Sequence, residues 1–191
     1  MEYVDGPLLV DEFRYARYIS SLKKFRTLKE HYYNAGVWLR HFQEFTGLRE
    51  AGTEALELIL ERCEEKLKLI EEAGNSQIPR NLSSSVMNYL DEQISLLSVE
   101  KIKVAGRHGD FGSWNIVVGP DRVTVLDFLG YHEDPLPVDL LKMLMNFEDE
   151  RKYLAYSPNR VKNLKASFLE GYGPLPFVQR PLAVICETLH R

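Results

Sequence analysis

The sequence is poor in cysteine, has no long apolar run and shows no excess of basic residues, and each of these features excludes a class of protein. Its two cysteines, Cys63 and Cys186, form no Cys-x-x-Cys pair and no Cys/His cluster, so we expect buried free thiols in a cytoplasmic protein rather than a structural zinc site. No run of about 18 apolar residues occurs, and we expect no membrane partner. The net charge of −4 and the scattered basic residues argue against nucleic acid as a partner.

Apolar residues at helical spacing predict a mainly α-helical chain with a small central β-hairpin. Helices are predicted over residues 22–45, 54–73 and 84–97, after Pro137, near 161–169 and from 180 onward. Thr53 is the predicted N-cap of the second of these helices. Residues 102–105 predict a short strand that precedes the hairpin.

The hairpin is predicted from two β-rich runs within residues 115–127, on either side of a Gly-Pro-Asp-Arg turn. Pro120 suits the second position of a type I turn because its φ angle is already fixed. Asn115 and Asp127 lie on opposite sides of this turn, so antiparallel pairing brings them to the same end of the ribbon. Asp110 lies just upstream in a glycine-containing loop. We therefore expect Asp110, Asn115 and Asp127 to converge at one edge.

These three side chains suit phosphate chemistry that depends on Mg²⁺. Magnesium prefers oxygen ligands and is usually held by one or two protein groups together with phosphate oxygens and water. A carboxylate set apart from the metal can accept the proton of an attacking hydroxyl. Asp110 and Asn115 also have the D-x-x-x-x-N spacing of a kinase catalytic loop, in which the aspartate is the base and the asparagine a metal ligand.

Three sequence blocks within residues 108–140 resemble one known family. His108-Gly-Asp-Phe-Gly-Ser-Trp-Asn115 resembles the HGD-x-x-x-x-N loop of the aminoglycoside phosphotransferase and choline kinase-like superfamily. Val125-Leu-Asp-Phe128 resembles its metal-binding strand, and Asp134-Pro-Leu-Pro-Val-Asp-Leu140 resembles its D-P-x-x-D-L segment. The resemblance implies the C-terminal lobe of the protein-kinase-like α+β fold. It also implies a kinase that uses ATP and Mg²⁺ to phosphorylate a small-molecule hydroxyl acceptor.

The resemblance assigns a role to each matching residue. It implies that Asp110 is the catalytic base and that Asn115 and Asp127 bind Mg²⁺. It implies that His108 and Asp139 support the catalytic loop rather than touch substrate. The acceptors of the family include aminoglycosides, choline, sugars and amino alcohols, and the sequence does not choose among them.

The start of the chain resembles the hinge that joins the two lobes of such kinases. We expect residues 1–191 to form a single C-terminal lobe that begins at a hinge over residues 1–9, with the backbone of Glu2 and Val4 near the nucleotide. Neither G-x-G-x-x-G nor G-x-x-x-x-G-K-[ST] occurs, so the N-terminal ATP-binding lobe is expected to be absent from this chain, as in a truncated form. Such a chain is expected to turn over ATP weakly or not at all. A looser match is Gln43, which stands where the family often has histidine.

Other interpretations stay open. The chain is either a phosphotransferase or an inactive kinase-like fragment that acts as a binding module. A metal-dependent hydrolase is a further alternative, which would use His108, Asp110, Asp127, His132 and Asp134. It would need adjacent histidines on rigid elements to hold a transition metal, and neither a His-Asp dipeptide nor H-x-x-x-H occurs. Asp134 has either a direct role or that of a turn or cap residue. The acidic residues near it and near Glu148 either attract a cationic substrate or form a solvated surface.

Overall fold

The computed structural model shows a mainly helical molecule with two small antiparallel sheets. It describes residues 5–16, 21–73, 79, 81–97, 101–120, 122–151, 157–174 and 180–188. The helices within these ranges are α1 (Leu9–Ala16), α2 (Leu22–Phe45), α3 (Glu57–Glu72), α4 (Leu82–Ser95), α5 (Pro137–Arg151), α6 (Pro158–Tyr172) and α7 (Arg180–Thr188). The strands are β1 (Arg49–Ala51), β2 (Ile102–Arg107), β3 (Ile116–Val118), β4 (Val123–Val125) and β5 (His132–Pro135).

The predicted hairpin is confirmed as β3 and β4, and a second sheet accompanies it. Strands β3 and β4 pair antiparallel with Ile116 opposite Val125. The second sheet has the order β1-β2-β5, with both outer strands antiparallel to β2. Only β2 was expected, because β1 and β5 are short and polar and show no β-type alternation. Their pairing is fixed by β2, which lies between them.

The helix predicted over residues 22–45 is confirmed with the same bounds as α2. Its buried positions recur at intervals of three and four residues, as expected for a helix with one face on the core. This face packs against α6, and the two helices meet at Gly36 and Gly171. A Cβ atom on Gly171 would lie 2.0 Å from the carbonyl oxygen of Tyr33, so glycine is required for this close approach.

The other helices differ from the predictions mainly at their ends. The second predicted helix begins with a 3₁₀ turn over Thr53–Leu56 before α3, so Thr53 lies inside the turn and Gly52 precedes it. The prediction of Thr53 as the helix N-cap was therefore wrong. Helix α1 was not predicted, since its eight residues are too few to show a clear period.

Two apolar cores result from this packing. The first lies between α2, α5 and α6 and reaches the segment that follows β2; Leu39, Phe111 and Phe168 are at its centre. The second lies between α3, α4, α7 and β2 and includes both cysteines. Cys63 and Cys186 are buried and form no disulfide, as predicted, and burial raises the pKa of Cys63. No helix in the described part of the chain has the length and apolarity to cross a membrane.

Tyr172 lies at the end of α6 and makes a buried hydrogen bond with testable consequences at high pH. Its hydroxyl donates to Oε1 of Gln43 at 2.8 Å, and Gln43 donates in turn to the carbonyl oxygen of Leu136 at 3.1 Å. Burial raises the pKa of Tyr172 to about 12, with Asp139 and Glu44 adding to the effect. The folded chain therefore keeps this phenol neutral at pH values where the unfolded chain ionises it.

We expect the free energy of unfolding to fall by about 2 kcal/mol between pH 10 and pH 12 because of Tyr172 alone. The sign follows from the raised pKa, since ionisation above pH 10 stabilises only the unfolded chain until the folded pKa is reached. Urea denaturation across this range should show a shallower fall for Tyr172→Phe than for the parent. Tyr33→Phe, at an exposed position of α2, is the matched control and should keep the parental slope. Equal slopes for parent and Tyr172→Phe would contradict the prediction.

Candidate catalytic site

The hairpin and the loop before it place the predicted residues at one edge. The amide of Leu126 donates to the carbonyl oxygen of Asn115 at 2.8 Å, so these residues are opposite each other where the hairpin opens. Asp127 follows Leu126 directly. Nδ2 of Asn115 donates to Oδ2 and to the backbone oxygen of Asp110, each at 2.9 Å. Asp110 and Asn115 are thus in contact, and Asp127 directly follows Leu126, the residue opposite Asn115.

The carboxylate of Asp110 is partly open to solvent and receives hydrogen bonds on both oxygens. Nε1 of Trp114 donates to Oδ2 at 2.9 Å, alongside Asn115. Nζ of Lys142, from α5, lies 2.5 Å from Oδ1. Burial alone would raise the pKa of Asp110, but the bonds from Lys142, Trp114 and Asn115 outweigh burial and lower the pKa. Asp110 is therefore ionised at neutral pH, as a proton acceptor must be.

Asp139, in the first turn of α5, holds the backbone of the same loop. Its Oδ2 accepts the amide of His108 at 2.6 Å and its Oδ1 accepts the amide of Gly109 at 3.2 Å. The side chain is almost fully buried, and burial raises the pKa of Asp139 while the two amide donors oppose the increase. This is the geometry of a brace, in which a short side chain fixes two successive peptide groups.

His108 is buried beneath the loop and both of its ring nitrogens are engaged. Nε2 lies 2.7 Å from the carbonyl oxygen of Leu126, and Nδ1 accepts the amide of Asp110 at 3.2 Å. The ring also contacts Phe128, with 4.6 Å between centroids, and Trp38 at 6.5 Å. His108 thus joins the loop to the chain around Asp127, and no ring nitrogen is left to bind a metal.

Two backbone conformations at the site are unusual. Gly109 has φ 92°, and a Cβ atom there would lie 2.5 Å from the carbonyl oxygen of Gly130, so the residue between His108 and Asp110 must be glycine. Asp127 has φ 61° and, among the described residues, is the only one other than glycine with a positive φ. Left-handed backbone at a non-glycine residue is strained and is concentrated at functional sites.

A buried ionic network adjoins the loop, and the sequence did not reveal it. Asp134, on β5, is 2% exposed, and its Oδ2 is shared by three donors. Arg62 from α3 lies at 2.9 Å, His132 at 3.1 Å, and Arg107 is also in contact. Arg107 donates in addition to the carbonyl oxygen of Gly109 at 3.2 Å. Asp134 is therefore an internal counter-ion rather than a turn or cap residue. Burial lowers the pKa of His132 although Asp134 opposes this, so the imidazole is neutral near pH 7.

The donor set at the hairpin edge fits a magnesium ion bound partly by substrate phosphates. Both hydrogen bonds of Asn115 to Asp110 use Nδ2, so its Oδ1 is not involved in them. Asp127 is exposed, and its Oδ1 accepts a long hydrogen bond from the amide of Leu129 at 3.5 Å. No group of three or more His, Cys, Asp or Glu side chains within the described residues is arranged to hold a metal ion. Two oxygen donors with phosphates and water are nevertheless the usual environment of Mg²⁺.

The predicted hinge residues Glu2 and Val4 lie outside the described residues. The residues that follow them are bound to the hairpin, because the amide of Val118 donates to the carbonyl oxygen of Pro7 at 2.9 Å. Leu8 forms a β-bridge with Val117. Pro7 and Leu8 thus lie beside β3.

Sequence reasoning missed two side chains that contact Asp110. Trp114 lies inside the catalytic-loop motif, and the motif left its position open. Lys142 lies on a predicted helix, where a lysine resembles any solvated residue. The available signal was spacing: Asp139 and Lys142 are three residues apart, which places them on the same face of a helix.

Comparisons with known proteins identify the fold and leave the family open. No protein-family model matches the chain, and no curated protein matches it. Among solved structures, however, the fold is shared with part of a kinase that acts on a small molecule. The matching structures include those of glucosamine kinase, which this chain resembles at 17–18% sequence identity.

Three of these structures give the extent of the likeness. Two crystal forms of glucosamine kinase match 95% and 98% of this chain, with TM-scores of 0.58 and 0.60. Glucosamine kinase in complex with glucosamine, ADP and inorganic phosphate matches 89% of it, with a TM-score of 0.59. The chain spans about half the length of these structures, 46–48%. The aminoglycoside phosphotransferase superfamily itself stays a prediction.

Proposed function

We propose that the chain carries the acceptor-side half of an ATP- and Mg²⁺-dependent phosphotransferase that phosphorylates a hydroxyl of a small sugar or amino sugar. Asp110 acts as the base in this proposal, and Asn115 and Asp127 bind the metal. Residues 1–191 form a C-terminal lobe that begins at the hinge. The kinase fold and the motif-bearing loop support the same function independently.

The observation that carries the proposal is the arrangement of the loop around Asp110. The carboxylate is held in place by Asn115 and Trp114 at 2.9 Å each and is still partly open to solvent. Asp139 fixes the loop backbone from a separate helix. A base held at a fixed position beside an open surface, with oxygen donors for a metal next to it, is what hydroxyl phosphorylation requires.

In the proposed reaction the acceptor hydroxyl hydrogen-bonds to Asp110 and transfers its proton to that carboxylate. The acceptor oxygen forms a bond to the γ-phosphorus as the bond from that phosphorus to the bridging oxygen breaks, and the electron pair leaves with ADP. Asp139 and His108 keep the loop rigid, so that the Asp110 carboxylate stays aligned. Bound Mg²⁺ would supply positive charge that offsets the charge of the phosphates, and Asn115 and Asp127 would hold it.

The sugar class of acceptor is proposed from the structural comparison. The glucosamine kinase complex contains glucosamine, ADP and inorganic phosphate, which are an acceptor and the nucleotide product of phosphotransfer. Identity of 18% does not carry over the contacts of that acceptor, so glucosamine is the first compound to test in a panel of sugars and amino alcohols.

Asp110→Asn is expected to lower the turnover of the best acceptor by about 10²- to 10⁴-fold, because the amide cannot accept the hydroxyl proton. ADP release should be measured with ATP, Mg²⁺ and each acceptor, at enzyme in excess so that slow turnover is still detected. EDTA should abolish the reaction. Asp91→Asn, an identical change at an exposed position of α4, is the matched control and should leave turnover unchanged.

Other outcomes distinguish the alternatives. Binding of Mg²⁺ and ADP without transfer to any acceptor would favour a kinase-like binding module. Hydrolysis of a phosphate ester supported by zinc or manganese would favour a metallohydrolase, although the engaged ring of His108 argues against that function. The proposal predicts slow transfer by this half alone, so the absence of both nucleotide binding and transfer would overturn it.

A further inference from the structure

Lys142 contacts the proposed base, yet the reaction described above gives it no part. Its Nζ lies 2.5 Å from Oδ1 of Asp110 and 3.4 Å from the carbonyl oxygen of Gly109. The Lys142 side chain is 19% exposed and that of Asp110 is 43% exposed, so the pair lies at the opening of the site. An ammonium group has three N–H donors, and these contacts use two of them.

The architecture of the loop does not depend on this lysine. Asp139 holds two loop amides, and Asn115 holds the backbone oxygen of Asp110. Trp114 and Asn115 already donate to the other oxygen of the Asp110 carboxylate. Ion pairs that are partly exposed add little to stability. A lysine here also occupies the oxygen that an acceptor hydroxyl would otherwise approach, so its position calls for a functional explanation.

We propose that Lys142 is a catalytic residue. During transfer its ammonium group gives up its hydrogen bond to Asp110 and bonds to the phosphoryl group instead. This inference rests on the proposed function and adds a residue to it. A hydroxyl bonded to Asp110 lies about 3 Å from the carboxylate, and the phosphorus it attacks lies about 3–3.5 Å further. A long, flexible lysine already in contact with Asp110 can therefore reach the phosphoryl oxygens by rotating its side chain.

Charge explains why a cation at this point accelerates the reaction. During transfer, negative charge is spread over the three equatorial oxygens of the phosphoryl group. A cation held beside them before the reaction stabilises that charge without reorganisation. Arg62 and Arg107, the neighbouring arginines, are in contact with Asp134 and serve that buried carboxylate. Lys142 is the cation that bonds Asp110 itself.

The movement of Lys142 changes its hydrogen-bond partner and transfers no proton to or from the lysine. The acceptor proton passes to Asp110, the new oxygen–phosphorus bond forms, and the old one breaks with its electron pair on ADP. Lys142 remains an ammonium throughout and gives up its bond to Oδ1 of Asp110 as that carboxylate receives the hydroxyl. The same movement leaves the Asp110 carboxylate free to accept the hydroxyl proton. It also places the positive charge of Lys142 beside the phosphoryl group that is being transferred.

Calorimetric titration of ADP and Mg²⁺, with and without aluminium fluoride as a mimic of the planar phosphoryl group, tests this role. In the parent protein, aluminium fluoride should tighten ADP binding. Lys142→Met should keep the affinity for ADP and Mg²⁺ within twofold but should lose at least about tenfold of the gain in ADP affinity that aluminium fluoride causes. Its kcat should fall by about 10²-fold, while KM should change much less. Lys142→Arg should retain part of both effects. Lys165→Met, which removes a surface partner of Glu148 at 3.8 Å, is the matched control.

Three results would overturn the inference. Full aluminium fluoride tightening and full kcat in Lys142→Met would show that the lysine is not needed. Equal losses of ADP affinity, thermal stability and tightening would show a structural role instead. A parent that binds no ADP would reject the proposed function itself and this inference with it. In the first two cases the parent still binds ADP and transfers the phosphoryl group. Failure of the inference about Lys142 can therefore be distinguished from failure of the proposed function.

Discussion

Replacing Asp134 by alanine is expected to lower the free energy of unfolding by about 3–5 kcal/mol. The Asp134 carboxylate is buried and is the shared partner of Arg62 and Arg107, whose side chains are 21% and 11% exposed. Removing it leaves two partly buried guanidinium groups close together without their counter-ion. Urea denaturation at neutral pH measures the loss directly. The effect should also reach the loop that carries Asp110, because Arg107 donates to the carbonyl oxygen of Gly109.

The adjacent residue on β5 offers a matched control. Glu133 pairs with Arg49 on β1, and both side chains are about half exposed. Glu133→Ala should therefore cost less than about 1 kcal/mol. If the two alanine variants lose equal stability, the network around Asp134 is not a significant source of stability. A double variant that also replaces Arg107 by methionine should recover part of the loss, since it removes one of the unpaired charges.

Gly171→Ala is expected to lower the free energy of unfolding by about 3 kcal/mol or more, although alanine is the better helix former. Alanine in a helix interior gains at most about 1 kcal/mol over glycine. The new Cβ atom would lie 2.0 Å from the carbonyl oxygen of Tyr33, and backbone cannot move aside as a flexible side chain does. Helices α2 and α6 would have to separate, which opens the core around Phe168.

The reciprocal contact provides a stringent test. A Cβ atom on Gly36 would lie 2.1 Å from the carbonyl oxygen of Phe168, so Gly36→Ala should act in the same way. Once one substitution has separated the helices, the second should cost less, and the double variant should lose less than the sum. Gly119→Ala, whose Cβ would meet nothing closer than 3.5 Å, is the control. Strict additivity of the two helix substitutions would contradict the shared contact.

The features that local sequence predicts well are those with a regular period or a fixed spacing. Helix α2 shows its apolar face over 24 residues, and its predicted bounds are confirmed. The hairpin follows from two β-rich runs and a turn, and the contact of Asp110 with Asn115 agrees with their expected convergence at one edge. The assigned roles of Asp110, Asn115, Asp127, His108 and Asp139 stay predictions, as do Mg²⁺ and the acceptor.

The features that the sequence did not predict depend on tertiary contacts. Strands β1 and β5 are polar, and their partner β2 lies far away along the chain. Asp134 looks like a turn residue until Arg62, from a distant helix, is placed beside it. Lys142 looks like a solvated residue until the first turns of α5 are docked on the loop. In each case the local pattern is ambiguous and the long-range partner decides.

Helix α5 mechanically couples the loop that carries Asp110 to the first core. Its first turn carries Asp139, its second carries Lys142, and Phe147 further along packs on Tyr32 with 4.9 Å between the ring centroids. One continuous helix therefore links the loop that carries Asp110 to the middle of the first core. A displacement of that helix moves the backbone of Asp139 and that of Lys142 in step, so the distance between these two backbone positions is preserved. The loop lies at the surface, but because it is bonded to a helix that packs into the core, it is held nearly as rigidly as the core itself.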